Sequence, residues 1–234
     1  MRSNELPLER YNTDKIANRY LEWYDPILQP LVDQEIKLLE IGVHAGGSLL
    51  LWRDYFPKAT IVGVDLKLPD GLSNESRIEV FQGSQDDTTF LSEVARKTAP
   101  DGFDIIIDDA SHIGALTKVA FWHLFDNHLK PSGLYVIEDW GTGYWDDWPD
   151  GSAFRPKSDS RSIWLRMLRR LKLIPRAAWP NHSHGMVGFV KELVDEQGAA
   201  DLTQARMTGT PVRVSKFERM VITPSIVFIT KSTH

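Results

Sequence analysis

The stretch Lys37-Leu-Leu-Glu-Ile-Gly-Val-His-Ala-Gly-Gly-Ser48 decides the fold, because it joins a short apolar run to a glycine-rich turn. An apolar run of this length that ends in glycine is typical of a buried strand. The glycines allow a tight turn and a close approach of the backbone to a ligand. The helix expected over 47–56 offers unpaired N–H groups to an anion. The stretch therefore predicts a strand, a ligand-binding loop and a helix.

The same alternation continues along the chain. Short runs rich in β-branched residues occur at 59–65, 77–82, 103–108 and 134–138, and helix-like stretches occur at 87–97, 115–129 and 185–197. Alternating strands and helices predict a doubly wound, Rossmann-like α/β sheet with helices on both faces. The runs at 212–222 and 225–231 are too close for a crossover helix, so they predict a C-terminal antiparallel hairpin. Five parallel strands and a hairpin form the sheet of class I methyltransferases.

Length and composition limit the remaining possibilities. The 234 residues suit one domain over 1–234, with a helical N-terminal lead-in at 1–36 and a lid or cap insertion at 140–184. A net charge of −5 gives no basic surface for nucleic acid, and no apolar run is long enough to span a membrane. Cysteine is absent, which excludes disulfides and thiolate metal sites, and residues 1–20 contain no apolar signal segment. We expect a cytoplasmic protein.

Four residues around the first loop predict a nucleotide-like cofactor. Asp65 ends the second predicted strand, where an acid can accept hydrogen bonds from ribose hydroxyls. Gly42 and Gly46 are spaced differently from the glycines of NAD-binding proteins, and this favours S-adenosylmethionine over NAD. Glu40 can accept a hydrogen bond near the ammonium end of such a cofactor. The alternative is a tight turn that packs a helix on a strand without any ligand.

Acidic residues also follow the fourth and fifth predicted strands. Asp108 and Asp109 end one of these strands, and Glu138 and Asp139 end the next. The carboxyl ends of the strands in such a sheet line one crevice, so these carboxylates would repel one another unless a cation lay between them. Mg²⁺ is the natural candidate, because it prefers oxygen ligands and keeps positions for water and substrate. Asp108 is a candidate cofactor contact, or alternatively a cap of the following helix.

His112 is the candidate general base. It follows Asp109 by three residues, so both side chains can point to the same side of a turn or helix start. A neutral imidazole is a suitable base near pH 7, and methyl transfer needs an aligned nucleophile relieved of its proton. The alternative is an ordinary turn histidine.

These residues resemble a known family. The chain is similar to the sugar and macrolide O-methyltransferases of actinobacterial natural-product pathways, of the mycinamicin and macrocin type, and to the cephalosporin hydroxylase family, which shares the fold. The matching stretches are Asn12-Thr-Asp-Lys15, Leu39–Ser48, Trp52-Arg-Asp-Tyr-Phe56, Gly63-Val-Asp65, Asp108-Asp-Ala-Ser-His112 and Gly133-Leu-Tyr-Val-Ile-Glu-Asp139.

The resemblance implies a role for each matched residue. It implies that Asp109, Glu138 and Asp139 bind Mg²⁺ and that His112 is the base. It also implies that the cofactor pocket is lined by Thr13, Lys15, Glu40, Ser48 and Asp65, with Gln85 or Asp86 near the adenine.

The sequence departs from the family after Asp139. Many relatives have Leu-His-Thr-Ser-Tyr at this place, whereas this chain has Trp140-Gly-Thr-Gly-Tyr144. With Trp145 and Trp148, these aromatic residues could stack on sugars or polyketides, or could pin the loop to the protein. A basic amphipathic helix is expected over 160–174. Such a helix can lie on a membrane, bind a phosphorylated acceptor or cap the site, and we favour the cap.

Three hypotheses remain from the sequence. The first is a metal-dependent O-methyltransferase for a small hydroxylated acceptor, such as a sugar or a glycosylated natural product. The second is an NAD-type oxidoreductase or hydroxylase component on the same fold, and the third is a non-catalytic cofactor-binding protein. We expect a homo-oligomer in the first case.

Overall fold

The computed structural model describes residues 2–154, 182–204 and 209–234. The basic helix expected over 160–174 lies outside these residues, as does most of the second half of the predicted lid. Strands and helices alternate as predicted through the first part of the chain. The strands are β1 (Lys37–Ile41), β2 (Thr60–Asp65), β3 (Ile78–Gln82), β4 (Phe103–Asp108), β5 (Leu129–Glu138), β6 (Phe217–Ile222) and β7 (Ile226–Lys231).

The strands form one seven-stranded sheet in the order β3-β2-β1-β4-β5-β7-β6. The first five strands are parallel, and β7 pairs antiparallel with both β5 and β6. The predicted Rossmann-like methyltransferase sheet with its terminal hairpin is therefore confirmed. The strand order reverses between β1 and β4, where Ile41 is paired with Asp108. Such a reversal opens a crevice for ligands at the carboxyl ends of the strands.

Helices cover both faces of the sheet. They are α1 (Asp14–Ala17), α2 (Leu21–Leu28), α3 (Gly47–Tyr55), α4 (Thr88–Thr98), α5 (Gly114–Asn127), α6 (Pro149–Ala153), α7 (Gly185–Gln197) and α8 (Ala199–Thr203). One buried cluster joins α4, α5 and α7 to the sheet, and a second joins α2 and α3 to its opposite face. Because both faces are covered, the central strands are buried nearly throughout. None of the helices in the described ranges has an apolar stretch long enough to cross a membrane.

Three boundaries differ from the sequence-based expectations. The strand predicted over 212–222 begins at Phe217, because its partner β7 ends opposite that residue and Val212 and Val214 are exposed. The helix predicted to reach 129 ends at Asn127, and Leu129 instead pairs with Phe103 at the start of β5. The lid predicted as a loop contains a 3-10 helix (Trp140–Tyr144) and the short helix α6.

Candidate functional site

The glycine loop between β1 and α3 is packed against other backbone segments. Gly42 and Gly46 have φ values of 96° and 82°, which favour glycine. A Cβ atom on Gly42 would lie 2.1 Å from the carbonyl oxygen of Asp109, and one on Gly47 would lie 2.1 Å from the carbonyl oxygen of Asn12. The loop therefore holds the acidic end of β4 and the N-terminal segment in fixed positions beside it.

Asp65 orders this loop from the end of β2. Its carboxylate accepts hydrogen bonds from the backbone N–H groups of Val43 at 2.7 Å, His44 at 2.9 Å and Lys67 at 3.0 Å. Burial opposes ionisation, but the N–H donors from His44, Lys67 and Val43 outweigh it and lower the pKa of Asp65. Asp65 thus has a structural role in the loop, and the predicted contact with a ribose stays a prediction.

Glu40 lies at the floor of the crevice. It is fully buried on β1, and burial raises the pKa of its carboxyl group, while Lys15 opposes the increase. Among the described residues, the Lys15 ammonium group and the Ser48 hydroxyl face its carboxylate, and neither makes a hydrogen bond of normal geometry with it. Because buried polar atoms are normally satisfied, this acid is a strong candidate for contact with a bound polar group.

Two other predicted cofactor residues, Gln85 and Asp86, follow β3. Gln85 is buried, and its Oε1 accepts from the backbone N–H of Ser111 at 3.1 Å, whereas its Nε2 has no partner among the described residues. Asp86 is exposed and accepts a hydrogen bond from the hydroxyl of Ser84. Gln85 therefore presents an unused amide donor, whereas Asp86 points to the surface.

Asp108 is buried at the end of β4. Burial raises the pKa of its carboxyl group to about 7, and the neighbouring charge of Asp109 adds to the increase. The Tyr135 hydroxyl lies 3.5 Å from its Oδ2. Asp108 does not cap α5, because that helix begins after Ile113 without any side-chain cap.

Lys15 connects three of the strand ends. Thr13 caps α1, its Oγ1 accepting from the backbone N–H of Lys15 at 3.4 Å. The Lys15 Nζ lies 3.2 Å from Glu40 Oε1, 2.6 Å from Asp109 Oδ2 and 2.8 Å from Glu138 Oε2. Burial would lower the pKa of this ammonium group, but the three carboxylates outweigh burial and raise it.

Glu138 is engaged on both of its oxygens. Lys15 holds Oε2, and the hydroxyl of Tyr24 donates to Oε1. Burial, followed by the charge of Asp109, raises the pKa of Glu138 well above its usual value. We call Lys15, Tyr24, Glu40 and Glu138 the inner acid group.

Asp109, His112 and Asp139 form what we call the outer acid group. One ligand atom from each lies within 4.8 Å of the others, an arrangement that could hold a metal ion. His112 Nε2 is 4.0 Å from Asp109 Oδ1 and 3.8 Å from Asp139 Oδ2. Their side chains are 12% to 21% exposed, whereas Lys15, Glu40 and Glu138 are at most 1% exposed. A ligand can therefore reach the outer acid group from the crevice.

The backbone at the outer acid group is unusual. His112 and Asp139 have φ values of 52° and 54°, in the left-handed region that non-glycine residues rarely adopt. Such conformations concentrate at functional sites, where the surrounding structure maintains them. The Tyr20 hydroxyl donates to Asp139 Oδ1. Burial raises the pKa of Asp139, while Tyr20 and His112 oppose the increase.

The sequence reasoning missed several residues of the site. Tyr20 and Tyr24 lie in the predicted helical lead-in, and their hydroxyls donate to Asp139 and Glu138. Trp148 lies beside the candidate base, with its ring centroid 5.2 Å from that of His112 in an edge-on arrangement. Asp150 Oδ2 accepts from the backbone N–H groups of Gly114 and Met186, each at 2.7 Å. No local sequence pattern marks these contacts, because each joins distant segments.

The comparisons with known proteins agree with the resemblance seen in the sequence. The chain is 42% identical over 147 residues to mycinamicin VI 2''-O-methyltransferase of Micromonospora griseorubida, a match covering 58% of this chain and 35% of that protein. It is 38% identical over 173 residues to demethylmacrocin O-methyltransferase of Streptomyces fradiae, covering 69% of this chain and 42% of that protein. No protein-family profile matches the chain.

Solved structures give the same result. The MycE methyltransferase of the mycinamycin biosynthetic pathway, determined in complex with Mg and SAH, matches with a TM-score of 0.67 and 30% identity over 90% of this chain and 48% of that chain. The predicted resemblance to sugar O-methyltransferases of macrolide pathways is therefore confirmed. The chain spans less than half the length of the curated relatives it matches, between 35% and 43% in five cases.

Proposed function

We propose that this chain is an S-adenosylmethionine-dependent and divalent-metal-dependent O-methyltransferase that acts on a hydroxyl group of a natural product, in a sugar moiety. The observation that carries the proposal is the convergence of Asp109, His112 and Asp139 beside the glycine loop, at the carboxyl edge of a methyltransferase sheet. The similarity to sugar O-methyltransferases supports the choice of acceptor.

The residues present suit both implied groups. Carboxylate oxygens are the ligands that Mg²⁺ prefers, and Asp109 and Asp139 present them at the open side of the site, with Glu138 next to them. The Glu40 carboxylate, which pairs with Lys15 at 3.2 Å, and the Gln85 amide nitrogen, which has no partner among the described residues, would meet polar groups of S-adenosylmethionine. When bound, Mg²⁺ would supply electrostatic stabilisation of negative charge on the acceptor oxygen.

His112 is the residue that we propose as base. Methyl transfer breaks the carbon–sulfur bond of the sulfonium and forms a carbon–oxygen bond, with the electron pair of the broken bond left on sulfur. The acceptor hydroxyl must therefore give up its proton, and the Nε2 of His112 faces the two open carboxylates where that hydroxyl would lie. Mg²⁺ prefers oxygen, which leaves the nitrogen of His112 available for the proton.

Calorimetric titration with S-adenosylhomocysteine and with NAD, each with and without Mg²⁺, tests the cofactor. We expect binding of S-adenosylhomocysteine and none of NAD. Methyl transfer from labelled S-adenosylmethionine to glycosylated polyketides, with Mg²⁺ or in a strong chelator, then tests the reaction. Preference for NAD would replace the proposal with an oxidoreductase, and full activity in the chelator would remove the metal. The cytoplasmic location and the homo-oligomer stay predictions.

A further inference from the structure

The inner acid group contains a cation of its own. The ammonium group of Lys15 is fully buried and lies within 3.2 Å of one carboxylate oxygen from each of β1, β4 and β5. An isolated buried charge is very costly, and a buried lysine keeps its proton near neutral pH only when acidic groups compensate the charge. Lys15 is therefore the counter-ion that allows these acids to lie together.

The contacts of Lys15 overlap with those expected of a metal. The two shortest join it to Asp109 Oδ2 and Glu138 Oε2, which belong to two of the three predicted metal ligands. A hydrogen bond from Tyr24 occupies the other oxygen of Glu138. A metal that binds Glu138 would therefore meet an oxygen that already accepts from Lys15 or from Tyr24.

Lys15 has a place to move. Its third partner, Glu40, is the most distant of the three at 3.2 Å, and the Ser48 hydroxyl is the other polar group of the described residues that faces this carboxylate, without a hydrogen bond of normal geometry. A small shift of the ammonium group towards Glu40 would release Asp109 and Glu138 while keeping the lysine paired. A divalent cation on the same carboxylate oxygens would lie close to the ammonium group, and the two positive charges would repel each other and weaken metal binding.

We propose that Lys15 is an internal counter-ion that competes with the divalent metal for Asp109 and Glu138, and so sets the metal affinity of the site. The inference rests on the proposed function, because it takes these two acids as metal ligands. It assigns Lys15 a positioning role on the metal side, in addition to the cofactor side that the sequence resemblance implied. Metal binding and retraction of Lys15 towards Glu40 are then one event.

The test is calorimetric titration of the chelator-treated protein with MgCl₂. Lys15→Met removes the competing charge and keeps most of the side-chain volume. We expect it to bind Mg²⁺ at least about tenfold more tightly than the wild type. We also expect Lys15→Met to have a lower melting temperature than the wild type in chelator. Adding Mg²⁺ should raise the melting temperature of Lys15→Met by more than that of the wild type, because Mg²⁺ replaces the lost counter-ion. Lys130→Met, which breaks a partly exposed pair with Asp104, is the matched control and should leave Mg²⁺ binding unchanged.

The outcomes separate the inference from the proposed function. If the wild type binds Mg²⁺ and Lys15→Met binds it no more tightly, the inference is wrong and the proposed metal stands, because Lys15 then does not compete with Mg²⁺. Absence of Mg²⁺ binding by both proteins would overturn the proposed metal as well. If Lys15→Met does not fold, Lys15→Gln replaces it. The ¹⁵N-lysine spectrum of the wild type gives an independent readout, in which a buried ammonium signal that does not move on adding Mg²⁺ contradicts the inference.

Discussion

The inner and outer acid groups differ in burial, although their carboxylates come from neighbouring strand ends. Glu138 and Asp139 are neighbours in sequence, yet Glu138 is buried between Lys15 and Tyr24 while Asp139 faces the crevice. The difference arises because Glu138 is the last residue of β5, and Asp139 turns away with a positive φ. Two adjacent acids thus lie in different surroundings, one paired inside the protein and one partly exposed to the crevice.

The outer acid group should carry the largest effect on activity. His112→Ala removes the proposed base, so we expect turnover to fall about 10²- to 10⁴-fold while the affinity for S-adenosylhomocysteine stays unchanged. Steady-state kinetics with an acceptor found by screening, together with calorimetry, measure the two quantities. His123→Ala is the control, because His123 contacts Ser92 outside the site. Unchanged turnover in His112→Ala would remove this residue from the mechanism.

The inner acid group should carry the largest effect on stability. Glu138→Ala leaves Lys15 buried with one partner fewer, and removing one member of a buried ion pair costs about 3–5 kcal/mol of unfolding free energy. Denaturant unfolding in chelator measures the loss. Glu192→Ala breaks an exposed pair with Lys118 and should cost less than about 1 kcal/mol. Equal losses in both variants would show that Glu138 is not compensated as described.

Asp108 is a third kind of acid in this site, because it is buried and no cation among the described residues compensates it. Its pKa is raised to about 7, so the folded state favours the protonated form. Its contribution to stability is therefore full below pH 4 and is lost as the pH rises through 7. We expect Asp108→Asn to gain stability relative to the wild type between pH 5 and 8, by an amount on the order of 4 kcal/mol at most. Unfolding free energies measured across this range check it, with the exposed Asp126→Asn as control; parallel pH curves for Asp108→Asn and the wild type would contradict it.

The smallest effect is expected where the lid meets the outer acid group. Trp148 contacts the His112 ring edge-on, and an aromatic pair of this kind contributes about 0.5–1.5 kcal/mol. We expect Trp148→Leu to lower kcat/KM for the acceptor by about two- to tenfold, without changing S-adenosylhomocysteine binding. Trp145→Leu is the control, because Trp145 is half exposed. A larger loss in Trp145→Leu would place the acceptor on that ring instead.

The fold and the location of the acids could be predicted from the sequence, because both follow from local patterns. Alternating apolar runs and helices fix a parallel sheet, and acids that end β4 and β5 must lie at one edge of it. Which of these acids is paired inside the protein and which faces the crevice could not be predicted in the same way. Lys15 is 94 residues from Asp109 and 123 from Glu138, and Tyr24 is 114 from Glu138. No spacing rule connects residues so far apart, so only the packed chain shows which acid is compensated.

The two hydrogen bonds accepted by Asp150 fix the position of the lid relative to the helices beside it. Asp150 joins the far end of the lid to the first residues of α5 and α7, while the near end is held at Asp139, whose carbonyl accepts from the Thr142 hydroxyl at 2.8 Å and whose carboxylate accepts from Tyr20. Residues 140–149 are therefore anchored at both ends. The segment is also held between its ends, because Trp140 Nε1 donates to the Thr223 carbonyl at 3.0 Å and Thr142 and Gly143 are buried. The half-exposed Tyr144 and Trp145 are therefore the positions where a side chain can be exchanged with the least disturbance of the fold.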